Sequence, residues 1–513
     1  LGSSALKYDC VVIGSGVSGL ASAVILARHG RKVALVERED RIGPLLRRRE
    51  RGGVWCDGGF HYIGGLCPQG GFAGLLRYLG ILDHLELLEM HPDGFDVIRF
   101  PGRPALRIPI GLDRVREALC ERFPESRDAA GAYIGRLERI YRTTPFSSLE
   151  VNVGEFARGE AFHENLAAFL REAGAREEFI GALDRYGHGL HGARAHEASL
   201  HAHTMVVGSY YFGAHMVRGG GESLIRAFKK RLREESVDVF CGRPAVGFRV
   251  GDRRRLLGVE VADPAGRDRE TLECDVCVST IDPNLLARIL PRESIRPAFF
   301  RRVERLEETF SPFVIHLDAP SVPPALHRSN HYRFDLHDDS FDSLVVMAAD
   351  PSADDSGRRS LCLIRKAWDN DGDRCGTCAG PGRRLCEDSA AAERDAEEVM
   401  RPACEAFKEQ ATEEALERME EMFPELKGRY RRVATLSGCR RERYLGTWQG
   451  SIYGCKQSAG DASLGPLGPL RGLYIAGQSV NAPGVMGAII SAFLAAMQIV
   501  DRQTLWSEVQ ACR

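Results

Sequence analysis

Close to the N-terminus an apolar triplet, Val11, Val12 and Ile13, runs into a turn with glycines at Gly14, Gly16 and Gly19. A short run that is apolar on both faces and ends in glycine predicts a strand buried in a parallel sheet. Residues 20–27 are almost continuously apolar and stop before Gly30, the position of a glycine that commonly closes a helix. A second apolar run, residues 33–36, ends on the acid Glu37.

The same grammar returns further along. Residues 218–232 (R-G-G-G-E-S-L-I-R-A-F-K-K-R-L) read as a glycine turn entering an amphipathic helix. Alternating strands follow at 239–250, 256–262 and 269–274, then an apolar strand at 276–280 that ends at Asp282-Pro283. Near the other end, residues 473–476 form a strand, Gly477 a turn, and a helix starts at about Val485 with small residues on one face. The pattern predicts an α/β, Rossmann-like FAD-binding domain built from residues 1–82, 216–285 and 435–513. It is interleaved with an α+β substrate domain from 83–215 and 286–434. Two domains suit a chain of 513 residues, which is longer than one core usually serves.

Strand, G-x-G-x-x-G turn, helix, strand and terminal acid follow in order within about 30 residues, the context that makes this motif specific for a dinucleotide. Gly14 permits the tight turn, Gly16 lets backbone approach a pyrophosphate, and Gly19 lets helix and strand pack closely. The phosphates then meet the first turn of the helix, at Val17 and Ser18, while Glu37 and Arg38 stand at the adenosine end. NAD and FAD both satisfy that half of the site. The C-terminal turn R-G-L-Y-I-A-G-Q-S-V-N-A-P-G-V-M-G decides for FAD, because it resembles the strand-turn-helix of flavoproteins of the glutathione-reductase and amine-oxidase type. In those proteins this turn meets the ribityl chain and the flavin edge, which assigns Gly477, Gln478, Gly484, Val485 and Met486 to the cofactor. Gly59 and Val246 complete the expected FAD contacts.

Composition narrows the field. A formal charge of -2 gives no reason to expect nucleic acid. Fifteen scattered cysteines, several inside apolar strands, read as reduced core thiols of a cytoplasmic protein. The longest apolar stretch, residues 485–500, falls short of the roughly 20 residues of a bilayer span.

The stretch G-G-V-W-C-D-G-G-F-H-Y-I-G-G at 52–65 resembles the phytoene desaturase and carotenoid isomerase flavoproteins, nearest within that group to the retinol saturases. Asp57, Gly59, His61, Tyr62, Ile63 and Gly64 carry the likeness, with the turn at 218–221, the G-S-I-Y-G run at 450–454 and P-G-V-M-G-A at 483–488. Two positions depart from that group: Gly43-Pro44 replaces a glycine pair, and Ser479 follows Gln478 where aspartate is usual. The resemblance implies a FAD-dependent oxidoreductase acting on CH–CH bonds of a lipophilic polyene or isoprenoid-like substrate. The flavin N5 exchanges hydride in either direction, as saturase or desaturase. No second nucleotide fingerprint is visible, so the expected redox partner is a quinone or an electron-transfer protein, or NAD(P)H visiting the flavin transiently, and a lipophilic substrate implies peripheral contact with a membrane. The motif loop sets His61 and Tyr62 beside the flavin as candidate proton carriers, with Tyr453 as a third.

Other readings belong to the same fold: a carotenoid-type cis-trans isomerase, a flavin amine oxidase, or a non-catalytic prenyl-binding protein of the Rab escort and GDP-dissociation-inhibitor type. No metal site is expected. The histidines at 188, 191, 196, 201 and 203 lack metal-binding spacing and read as a surface tract, and Cys375, Cys378 and Cys386 are one ligand short of a zinc site. The arginines at 47, 48, 49 and 51 read as a solvated loop.

Overall fold

The computed structural model describes residues 6–67, 70–153, 156, 159–334, 343–349, 359–366, 402–436, 446–460 and 464–513. Cys375, Cys378 and Cys386 lie outside the described residues.

A five-stranded parallel sheet runs in the order Asp238–Phe240, Val33–Val36, Cys10–Ile13, Val276–Ser279, Leu473–Ile475. Its strands come from the three segments expected to build the FAD domain. Strand periodicity divides the first strand between two cores. Cys10 and Val12 face the helices Val17–Arg28, Gly220–Glu234 and Gly484–Ala496, while Val11 and Ile13 face the antiparallel sheet Ala245–Val250, Leu256–Val261, Glu270–Glu273. The apolar run expected at 239–250 divides in two: Asp238–Phe240 joins the parallel sheet, and Ala245–Val250 begins the antiparallel one. The first helix closes with His29 as its C-cap and Gly30 just beyond it in the left-handed region, φ 73°. The longest apolar stretch forms the buried helix Gly484–Ala496, and no helix among the described residues is long and apolar enough to cross a membrane.

A seven-stranded mixed sheet forms the second layer, in the order Arg431–Leu436, Pro312–Ala319, Arg359–Lys366, Leu344–Ala348, Asn330–Arg333, Asp96–Arg99, Leu106–Ile108. One face is covered by the helix Pro402–Met422, against which Phe313, Ile315, Val346 and Leu363 pack. Val314, Val345, Met347 and Ile364 point the other way and line a cavity. Helices Leu112–Arg122, Arg127–Thr143 and Glu177–His191 share a further core with the edge of this sheet.

Two expectations fail here. Most of the histidine tract is not a surface: His196 is exposed, but His188, His191, His201 and His203 are buried, and His191 Nε2 lies 3.1 Å from His203 Nδ1. Their helices sit between the sheet and the neighbouring helices, so the face that looked polar in sequence is internal. Arg47 and Arg48 are also buried, because Arg48 pairs with Asp57 at 2.7 Å and Arg47 with Asp40 at 3.2 Å. Only Arg49 and Arg51 of that run are exposed.

Candidate functional site

One cavity of about 530 Å³ extends from the first glycine turn to the inner face of the seven-stranded sheet. The end nearer the parallel sheet has the features a dinucleotide needs. Gly14 takes φ 94°, and a Cβ there would meet Thr280 Oγ1 at 2.9 Å. A Cβ on Gly19 would lie 1.9 Å from the Gly14 carbonyl, so helix and strand can be this close only with glycine. A Cβ on Gly16 would meet nothing within 4 Å, which leaves open space where backbone and ligand would approach. Gly16 caps its helix without a side-chain hydrogen bond, so the first amides of that helix face the cavity. The helix Gly484–Ala496 likewise starts without a side-chain cap, beside cavity-lining Gly484 and Val485.

Glu37 is buried at the end of its strand, accepting from the Ser15 amide at 2.8 Å and the Glu39 amide at 2.9 Å, with the Ser15 hydroxyl also in contact. Arg38 lines the cavity beside it. The residues present therefore fit FAD: two helix N-termini, an acid at the adenosine end and glycines that keep backbone close to the space. Gly14, Gly16, Val17, Ser18, Glu37, Arg38, Gly59, Gly477, Gln478, Gly484 and Val485 all line the cavity. Three expected contacts do not line it. Gly19 packs helix on strand, Met486 is buried with its sulfur toward Gly65, and the wall at Val246 is made by its neighbours Pro244 and Ala245.

The two departures from the family pattern are accommodated. Gly43 takes φ 73° and donates to the Ser15 carbonyl at 3.1 Å, which turns the chain so that Pro44 lines the cavity. Ser479 accepts from the Cys455 amide at 3.2 Å, tying the 450–454 run to the Gly477 turn.

Beyond the fingerprint the walls become apolar and aromatic. Phe310, Val314, Phe334, Val345, Met347 and Ile364 line this part, with Lys366 among them. His61, Tyr62 and Tyr453 all line the cavity, so the structure brings the three proton-carrier candidates to one space. His61 Nδ1 is 4.0 Å from the Asp57 carboxylate, and the Tyr453 hydroxyl donates to the Gly189 carbonyl at 2.9 Å. Tyr62 is bonded more elaborately. Its hydroxyl donates to Asp96 at 3.1 Å and lies 2.9 Å from the hydroxyl of Tyr332, another cavity-lining residue.

Asp96 is completely buried and also accepts from Tyr186 at 2.7 Å and Asn330 at 2.9 Å. Burial pushes its carboxyl up to about 7, against the lowering effect of the Tyr186, Asn330, Tyr62 and Tyr332 hydrogen bonds. Burial likewise holds the Tyr62 and Tyr332 phenols well above their ordinary value, so both keep their protons at neutral pH. No motif marks Asp96, Tyr332 or Thr280, all of which bear on the site. The available signal was an acid inside an apolar strand, G-F-D-V-I-R-F, a position where a carboxyl needs a reason to be buried.

The chain belongs to the flavin containing amine oxidoreductase family, which it matches over residues 17–500, and it is an oxidoreductase with FAD as its cofactor. Among curated relatives, it is 24% identical to the all-trans-retinol 13,14-reductase of Danio rerio over 531 residues, covering 96% of this chain and 86% of that protein. It is 28% identical to the phytoene dehydrogenase of Streptomyces griseus over 314 residues, 56% of this chain and 57% of that one. An oxidoreductase structure from Methanosarcina mazei shares the fold with a TM-score of 0.66 and 16% identity, covering 96% of this chain and 100% of that one. The resemblance first read from residues 52–65 is thereby borne out.

Proposed function

We propose that this flavoprotein reduces, or in reverse forms, a carbon–carbon double bond in a lipophilic polyene. One observation carries the reading: the space between the two uncapped helix N-termini continues without a wall into a pocket lined by Phe310, Val314, Phe334, Val345, Met347 and Ile364. Apolar walls favour a hydrocarbon chain and disfavour a free ammonium, which would lose its hydration there. The retinol reductase and phytoene dehydrogenase relatives act, by their names, on such chains.

FAD bound at the glycine turns supplies hydride chemistry at its N5. The chain's own contribution is to align the polyene, exclude water and hold a proton at Tyr62, His61 or Tyr453. Residues 1–82, 216–285 and 435–513 form the cofactor domain in this reading, and 83–215 with 286–434 the substrate domain. A quinone or an electron-transfer protein exchanges electrons with the flavin. Peripheral contact with a membrane gives the substrate its route, and co-sedimentation with liposomes tests it; a holoprotein that stays in the supernatant at every lipid concentration contradicts it.

Titration of the oxidised holoprotein with conjugated retinoids, carotenoids and aliphatic amines, read in the visible flavin band, tests the substrate class. Polyenes are expected to perturb the band without an amine doing so. Bleaching of the flavin by amines alone would replace the reading with an amine oxidase.

A further inference from the structure

Asp96 has no place in the cofactor site, yet it organises a polar cluster inside an otherwise apolar layer. It is fully buried on the strand Asp96–Arg99, and four side chains from three other elements converge on it. Tyr62 comes from the loop before Ile63–Gly64, Tyr186 from the helix Glu177–His191, and Asn330 from the strand paired in parallel with its own. Tyr332 follows on that strand and bonds Tyr62. Tyr210 and Tyr211, from Ser209–Phe212, are the remaining titratable neighbours. The side chains that hydrogen-bond the carboxyl, Tyr62, Tyr186, Asn330 and Tyr332, are all neutral, and among the described residues no ion pair balances it. A carboxyl in such a place can hold its charge only through the donated hydrogen bonds, and otherwise keeps its proton.

The geometry points to a proton relay: Tyr62 is the catalytic acid at the cavity wall, and Asp96, bonded to it and flanked by Tyr332 and Tyr186, is the positioning residue that restores its proton. The inference rests on the double-bond chemistry proposed above. In the reducing direction FAD held at the glycine turns would supply hydride, two electrons with one hydrogen, for one carbon of the double bond. The π pair then forms the second C–H bond with the proton of Tyr62, whose O–H bond breaks. The resulting phenolate takes the proton of the Asp96 carboxyl. The carboxylate is held by the Tyr186 hydroxyl and the Asn330 amide until it recovers a proton from water after product leaves. Oxidation runs the same transfers backwards, with the oxidised flavin accepting the hydride.

The position of Asp96 at about 7 suits a group that must both give and regain a proton near neutrality. Tyr332 matters because its hydroxyl lies 2.9 Å from that of Tyr62 and its own hydrogen bond helps hold the Asp96 carboxyl down toward neutrality.

The test has two arms on the holoprotein. Infrared difference spectra are recorded across neutral pH for wild type, Asp96→Asn and Tyr332→Phe. A carboxylic C=O band that titrates near neutrality, vanishes in Asp96→Asn and titrates at higher pH in Tyr332→Phe is the expected result. Titration only in the ordinary carboxylate range, or no movement in Tyr332→Phe, overturns the relay. The second arm follows anaerobic reoxidation of the reduced flavin by a conjugated polyene. Asp96→Asn is expected to slow it on the order of 100-fold and to remove its pH dependence, with flavin content unchanged. A rate and pH profile equal to wild type overturns the relay. If no polyene reoxidises even the wild-type flavin, the substrate reading fails, and the infrared arm still decides the relay.

Discussion

The backbone amide of Gly477 donates to the hydroxyl of Ser491 at 2.7 Å, and that same hydroxyl lies 3.2 Å from the hydroxyl of Ser18. A turn near the C-terminus is thereby fastened to the helix that follows the first glycine fingerprint, although 473 positions separate Ser18 and Ser491. Ser491 also donates to the Ala488 carbonyl at 2.6 Å, so its hydroxyl is fully engaged. Besides the shared parallel sheet, one small side chain thus ties the two halves of the cofactor site together.

Ser491→Ala should therefore act on both stability and flavin retention. It leaves the buried Gly477 amide without its acceptor, at a cost of about 1–3 kcal/mol. Denaturant unfolding of the apoprotein measures the first effect, and flavin released on dilution measures the second. Unchanged values for both would mean that the turn is held by other contacts.

Gly16→Ala and Gly19→Ala should separate. A methyl at Gly16 enters open space, so the apoprotein should keep its stability to within about 0.5 kcal/mol while flavin binding falls. At Gly19 the methyl meets the Gly14 carbonyl at 1.9 Å, so stability and flavin binding should fall together. Apoprotein melting and flavin content per chain, measured on both variants, check the contrast.

The Arg48–Asp57 pair anchors the loop that carries His61 and Tyr62. Both side chains are over nine-tenths buried, so Asp57→Ala strands a buried guanidinium and should destabilise by about 3–5 kcal/mol. Urea unfolding reads the loss. A change below about 1 kcal/mol, the range of exposed pairs, would contradict the burial.

Much of the cofactor site was legible in the sequence because it is local. Three glycines, a strand on each side and a terminal acid lie within a few turns of chain, and each has a physical role that no other residue type fills. The C-terminal turn was legible for the same reason. Asp96 was not. Its partners stand at 62, 186, 330 and 332, and no periodicity reports that a seven-stranded sheet brings them together. The histidine tract was misread because polar residues at irregular spacing look solvated, whereas His191 and His203 satisfy each other and Tyr133 in the interior. Arg47 and Arg48 misled in the same way, since Arg48 finds the buried Asp57 beyond it in the chain and Arg47 is buried against the Ile42 carbonyl and the exposed Asp40 ahead of it.

These buried histidines predict an acid limb in stability. Burial lowers His191 to about 4, against the raising effect of Asp184 and Glu197, and burial together with repulsion from His191 holds His203 well below its ordinary value. Below the unfolded value of 6.5 the unfolded chain binds more protons, so stability falls as pH drops from there toward about 4. Urea unfolding at a series of pH values should show that slope, and His191→Gln should make it shallower. An unchanged slope in the variant would place the titrating group elsewhere.

An anaerobic single turnover decides whether the bound flavin exchanges hydride with a polyene. The holoprotein is reduced by light in the absence of oxygen and mixed with a conjugated polyene, and the flavin band is followed while the product is extracted. Return of the oxidised band with one double bond lost per flavin is the predicted result for the reducing direction, and bleaching of the oxidised protein by a saturated analogue is its counterpart for the reverse. A reduced flavin that no polyene reoxidises, together with an oxidised flavin that no saturated analogue reduces, would contradict the account.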